Sequence, residues 1–173
     1  MKLAVFTGPI LAALLILLPG CATRPGGMGG VAGGVANTVR TTAYDSAEAG
    51  GRHDACGGLL DCDGSVHSAA ADWSRYPVGT RFQIVETGEI CEIDDYGSAL
   101  VGTNTIDLYK ESGRDMRIWG VRMVHIKFLV WGSPRRSLEI LSPRARSAHV
   151  RPMIAALRQQ TQGTPSRFHK LQS

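Results

Sequence analysis

The chain has 173 residues, 19 of them Lys or Arg and 15 Asp or Glu, giving a formal net charge of +4. Once an N-terminal leader and a Gly-rich stretch are set aside, roughly 135 residues remain, the size of one domain with a modest core. The leader directs the chain out of the cytosol, so the positive balance does not indicate nucleic acid, which is excluded as a partner.

Lys2 supplies a charged start, and Leu3 to Leu18 is an apolar run interrupted only by Thr7, Gly8 and Pro9. It is too short and wrongly flanked for a stable membrane span, so residues 1–20 read as a secretory signal. The ending Leu18-Pro19-Gly20-Cys21 resembles the bacterial lipobox, although Pro19 is an unusual occupant. That resemblance implies cleavage before Cys21 and lipid attachment to it. Several acyl chains at roughly 0.8 kcal/mol per buried methylene make a durable membrane anchor. The expected location is a bacterial cell envelope, with Ala22 favouring the outer membrane and a domain facing the periplasm. From Cys21 to about Asn37 the chain is too Gly-rich to bury a core and reads as a flexible tether.

Thr38 to Tyr44 is rich in β-branched residues and alternates, with Val39, Thr41 and Ala43 on one face and Arg40, Thr42 and Tyr44 on the other. A Gly-rich loop follows. In it, Cys56 and Cys62 are candidates for a small disulfide loop worth about 2 kcal/mol in an oxidising compartment. His53, Asp61 and Asp63 lie near, but the cysteine spacing is not that of a zinc site, so no metal and no cofactor are expected. Ser65 to Ala71 is small and apolar. Thr80 to Val85 and Glu89 to Asp94, separated by Thr87-Gly88, read as a hairpin in which Cys91 is a small core residue.

Thr105 to Tyr109 is a short apolar run about Asp107. Val121 to Trp131 reads as a long strand with Val124, Ile126, Phe128 and Val130 on its core face, and Ser137 to Leu141 as a last strand. Trp119 reads as core and His125 as surface. Only Glu111 to Trp119 and Val150 to Gln160 look helical, the second with Met153, Ile154 and Leu157 as its apolar stripe. Many short strands, Gly-marked turns and little helix predict a mainly β fold, a small closed barrel over 38–142. Residues 143–173 read as a basic, partly helical tail. Arg117 to Lys170 holds eleven Lys and Arg against the single acid Glu139, enough to attract an anionic polymer or lipid headgroups.

The chemistry is concentrated between Glu92 and Tyr109. Asp94, Asp95 and Asp107 each adjoin an apolar or aromatic residue, the setting of half-buried carboxyls and hence of acid/base work. Strand alternation puts Cys91, Ile93 and Asp95 on one face and Glu92 and Asp94 on the other. Asp95 is the stronger inward candidate, with Asp94 as the alternative.

The collinear set Thr42-Ala43-Tyr44, Ala70-Ala71-Asp72, Tyr76-Pro77-Val78-Gly79-Thr80, Asp95-Tyr96-Gly97-Ser98-Ala99, Gly102, Ile106-Asp107-Leu108-Tyr109 and Trp119-Gly120 resembles the three-aspartate (3D) domain of bacterial cell-wall proteins. The match covers roughly Arg40 to Val130, with Asp72, Asp95 and Asp107 as the three aspartates. It implies a six-stranded double-psi β-barrel related to the catalytic domain of MltA-type lytic transglycosylases, which cut peptidoglycan glycan strands. On that resemblance Asp107 is the general acid/base and Asp95 its partner. Asp72 would tune proton affinity and bind sugar, or else cap the turn before Tyr76-Pro77; Thr42 and Tyr44 would line the sugar groove, and Gly97 and Gly102 would leave room for substrate. The chain departs from the family pattern by one extra residue near Thr103 or Asn104 and by the Cys56 to Cys62 loop. A barrel that binds peptidoglycan without cutting it is the alternative expectation.

Overall fold

The computed structural model describes residues 36–162, all within one compact unit. The expected signal, Cys21, all but the end of the tether, and 163–173 with Arg167 and Lys170 lie outside the described residues. Six strands, β1 (Asn37–Tyr44), β2 (His67–Ala70), β3 (Arg81–Ile84), β4 (Ile90–Asp95), β5 (Ile106–Tyr109) and β6 (Arg122–Val130), close into a barrel in the order β1-β5-β2-β4-β3-β6. β1 runs parallel to β5 and β2 parallel to β4, while the other neighbours are antiparallel. The molecule is therefore the closed, mixed, mainly β barrel expected. Closure leaves no free sheet edge.

Alternation builds the interior. Val39 and Thr41 of β1, Ala69 of β2, Phe82 and Ile84 of β3, Cys91 and Ile93 of β4, Ile106 and Leu108 of β5, and Val124 and Ile126 of β6 are all buried. Each large side chain among them stabilises the fold by about 1.5–3 kcal/mol through removal from water. The pattern slips at the end of β6, where Phe82 faces Phe128 but Arg81 faces Val130. That irregularity turns Val130 out to 51% exposure, against the sequence expectation, while Phe128 packs with Tyr76 and Trp131.

Among the described residues there are also three α-helices: α1 (Gly113–Trp119), α2 (Pro134–Leu141) and α3 (Val150–Gln162). α2 corrects the strand expected over Ser137 to Leu141. Ser133 caps it, its hydroxyl accepting the Arg136 N–H at 3.1 Å, and Pro134 opens its first turn. Arg135 and Arg136 lie 3.6 and 3.4 Å from Glu139 along its surface. Its anchor is Ser137, fully buried, whose hydroxyl accepts the Val78 N–H at 3.0 Å and donates to the Ser133 carbonyl. Gly132 is required just before it, because a Cβ there would overlap backbone atoms of Pro77, Val78 and Thr80. Leu141 of α2 and Val150, Met153, Ile154 and Leu157 of α3 join Trp73 in the barrel's own core cluster. The described part of the basic C-terminal segment is thus packed along one apolar face, with Arg151 and Arg158 on the exposed side.

Candidate active site

Register brings the two central acids together. Thr42 of β1 lies opposite Asp107 of β5, and Ala70 of β2 lies opposite both Asp107 and Asp95 of β4. Thr42, Asp107, Ala70 and Asp95 therefore form one row across four adjacent strands. The two aspartate Cα atoms are two strand spacings apart, roughly 9–10 Å. Because Leu108 and Ala69 point into the core, Asp107 and Ala70 point to the opposite face. There Ala70, Tyr44, Tyr109, Leu60 and Leu100 form a second, smaller apolar cluster. A cavity of about 470 Å³ opens on this face, lined by Asp95, Asp107, Tyr44, Ala70 and Gly97 among others. Its size is within the about 300–1,000 Å³ of ordinary small-molecule sites.

Asp95 reaches this cavity by a route that strand alternation misses. Ala69 pairs with Ile93 but Ala70 pairs with Asp95, so β4 carries one extra residue. Such a bulge changes the phase of the side chains after it. Asp95 is thereby carried from the inward face shared with Ile93 to the outer, cavity face. Asp94 is turned aside, its carboxylate accepting the Ser68 hydroxyl at 2.5 Å and the Ala69 N–H at 3.3 Å. The Asp95 backbone is fixed: its carbonyl accepts the Trp73 indole N–H at 2.8 Å and the Ala71 N–H at 3.1 Å.

The electrostatics follow from burial. Desolvation raises the Asp107 carboxyl above the usual carboxylate range, opposed by the Thr42 hydroxyl, which donates to Oδ1 at 2.5 Å, with Glu48 and then Asp95 adding smaller upward pushes. Asp95 is also raised by burial, against the Tyr96 N–H at 2.8 Å and the Tyr44 hydroxyl at 3.4 Å. Burial, followed by the charges of Asp95, Asp94 and Asp107, pushes the Tyr44 hydroxyl well above its ordinary value, so it remains a donor. The like-charge neighbour expected from sequence thus contributes, but desolvation dominates. Asp94 is pushed up to about 7, first by burial, although it is not part of the cavity lining.

The remaining expected site residues divide. Gly97 and Tyr44 line the cavity, whereas Thr42 acts on Asp107 from outside the lining. Asp72 lies outside the cavity lining. It is 2% exposed, and its carboxylate accepts the Ser74 N–H and hydroxyl at 2.8 and 2.6 Å and the Gly102 N–H at 2.6 Å. It is a staple between the turn before Tyr76 and the loop before β5. Gly102 is needed there in the left-handed region, at φ +81°. Cys56 and Cys62, candidates for a disulfide, are both free thiols in the structure. Cys56 donates to the Asp94 carbonyl at 3.4 Å, and Cys62 packs against the second apolar cluster, so the two are held by different neighbours. Cys91 is a core thiol pushed up to about 12 by burial, Trp119 is buried, and His125 lies on the surface 2.7 Å from Glu86.

Sequence reasoning missed Glu48, His53, Asp54 and Arg144, all of which line the cavity. Glu48 sits in a turn held by Asp45, whose carboxylate accepts the Ala47 and Glu48 N–H groups. The Asp54 carboxylate ties its own loop through the Cys56 and Gly58 N–H groups. Arg144 comes from beyond α2. The Asp-x-x-Glu turn signature at Asp45 was visible, but nothing local reveals that these segments roof the outer face of β1, β5 and β2. Among the described residues no group of three or more His, Cys, Asp or Glu has the arrangement of a metal site. The fold and site together define a closed mixed β-barrel with an acid-lined cavity on the outer face of its strands. Comparison of the chain with protein-family models and with curated proteins gave no match.

Proposed function

We propose that this protein cleaves the O-glycosyl bonds of peptidoglycan glycan strands in the manner of a lytic transglycosylase, as a member of the 3D-domain class. In this reading the barrel works in the periplasm, anchored to the outer membrane through lipid on Cys21. The observation that carries the reading is the convergence of Asp107 and Asp95 on one cavity, with burial raising both carboxyls. The motif resemblance supports the choice of substrate.

A glycosidase with an external nucleophile uses two carboxyls. A transglycosylase uses the C6 hydroxyl of the muramic acid ring, so one carboxyl suffices. Asp107, protonated, gives its proton to the glycosidic oxygen as the C1–O bond breaks. The resulting carboxylate then takes the proton of the C6 hydroxyl as that oxygen bonds to C1. The product is a 1,6-anhydro end, water is not consumed, and Asp107 is regenerated. A carboxyl raised by burial is protonated at a pH where free Asp, near about 3.9, is not. Asp95 stabilises positive charge developing at the ring, and Tyr44 holds Asp95 in position.

Digestion of purified sacculi followed by mass spectrometry tests the reading. The wild type is expected to release anhydro-muropeptides and Asp107→Asn to release at least about a hundredfold less, as befits loss of a general acid. Binding to sacculi with no product from the wild type would instead establish a non-catalytic peptidoglycan-binding module.

A further inference from the structure

Among the described residues that line the cavity, the one Lys or Arg comes from outside the strands that carry the acids. Arg144 ends the short turn Ser142–Arg144, between the fully buried Leu141 of α2 and the fully buried Val150 of α3. Both neighbours are core anchors, so the turn has little freedom. Its guanidinium donates to the Ala55 carbonyl at 2.8 Å and sits over the Tyr96 ring, 5.8 Å from its centroid. Both partners are neutral, and among the described residues Arg144 forms no ion pair with a carboxylate, although Glu48, Asp54, Asp95 and Asp107 line the same cavity.

The guanidinium has a planar fork of five N–H donors, matched to a carboxylate's two oxygens. One is given to Ala55. The cavity acids take their hydrogen bonds elsewhere: the Asp54 carboxylate accepts the Cys56 and Gly58 N–H groups of its own turn, Asp95 accepts the Tyr96 N–H and the Tyr44 hydroxyl, and Asp107 accepts the Thr42 hydroxyl. A guanidinium at the cavity wall whose other donors have no carboxylate partner among the described residues is suited to a carboxylate on the ligand.

We infer that Arg144 is a specificity-determining residue that pairs with a carboxylate carried by the saccharide in the cavity. This rests on the peptidoglycan reading above. In that polymer the carboxylate has two sources, the lactyl group of a muramic acid without peptide and the free carboxyls of an attached peptide. A neutral saccharide has neither. The C-terminal segment, otherwise a packing element, thereby contributes substrate choice to a site built by the barrel.

The test is a binding measurement that does not depend on cleavage, made by calorimetry on the full chain carrying Asp107→Asn to prevent turnover. Three probes are compared: peptide-free glycan oligomers, the same oligomers with their lactyl carboxyls methyl-esterified, and peptide-bearing disaccharides. The carboxylated probe that fits is expected to bind about ten- to a hundredfold more tightly than the neutral ester, the range of a charge-assisted pair. Which probe shows the preference identifies the source of the carboxylate. Adding Arg144→Gln should bring the ratio to about one without weakening the neutral ester, and Arg144→Lys should retain part of it. Thermal melts of each variant establish that it is folded. An unchanged ratio in Arg144→Gln, or equal affinity for charged and neutral probes before that substitution, overturns the inference. A preserved ratio in a protein whose wild type releases no product from sacculi keeps the inference and removes the catalytic reading. Failure to bind any of the three overturns both.

Discussion

At the residue scale, hydrogen bonding and burial set Asp107 and Asp94 apart. The Thr42 hydroxyl favours the charged form of Asp107, so Thr42→Val should raise that carboxyl further. The alkaline limb of the pH-rate profile on sacculi should then move to higher pH by about one unit, a shift of the size expected for one charge-assisted hydrogen bond. A limb that stays in place or moves down would mean that Asp107 is not the titrating acid. Asp94 has a different consequence, for stability. Its folded value, about 7, is above its ordinary one because burial disfavours the charge. A group raised on folding contributes stability below its unfolded value, and that contribution is lost as pH rises toward the folded value. The loss therefore falls between about pH 4 and pH 7. Asp94→Asn lacks this loss, so on going from pH 5 to pH 8 it should gain about 1–3 kcal/mol relative to wild type, as read by urea unfolding. A gap that does not change with pH would contradict the burial assigned to Asp94.

At the element scale, the strands were legible in the sequence because burial on one face leaves a period of two. β1 and β3 alternate as expected, and the face of β1 that carries Val39 and Thr41 is the buried one. What failed were features with no period. A single inserted residue in β4 reverses the face of Asp95, and nothing in Cys91 to Asp95 announces it. The last expected strand is a helix, and here a signal existed, since Ser133-Pro134 is a cap followed by a first-turn proline. The turn-capping half of Asp72's role is local and was legible, whereas its bond to Gly102, thirty residues away, was not. Its removal is therefore a structural event: Asp72→Ala strands the Ser74 and Gly102 N–H groups and should cost about 2–4 kcal/mol in urea unfolding. In the protein that remains folded, sacculus cleavage should fall far less than for Asp107→Asn. Equal losses of activity with unchanged stability would restore Asp72 to a direct role.

At the scale of the whole molecule, the barrel sets two acids in one strand row, and segments outside the row build a cavity over it. Glu48 and Asp54 arrive on the loop between β1 and β2, Gly97 on the loop after β4, and Arg144 on the turn between α2 and α3. These loops and the C-terminal packing explain why the cavity was less legible than the barrel: the lining is a property of chain path, whereas the strands are a property of local pattern. In the proposed function Asp107, at this cavity, transfers a proton to the glycosidic oxygen and receives one from the sugar's own hydroxyl. Sacculi are digested in heavy-oxygen water and product masses are read by mass spectrometry. Unlabelled 1,6-anhydro ends are expected from the wild type, with their loss in Asp107→Asn; labelled reducing ends, or undiminished product from Asp107→Asn, would overturn that proton transfer.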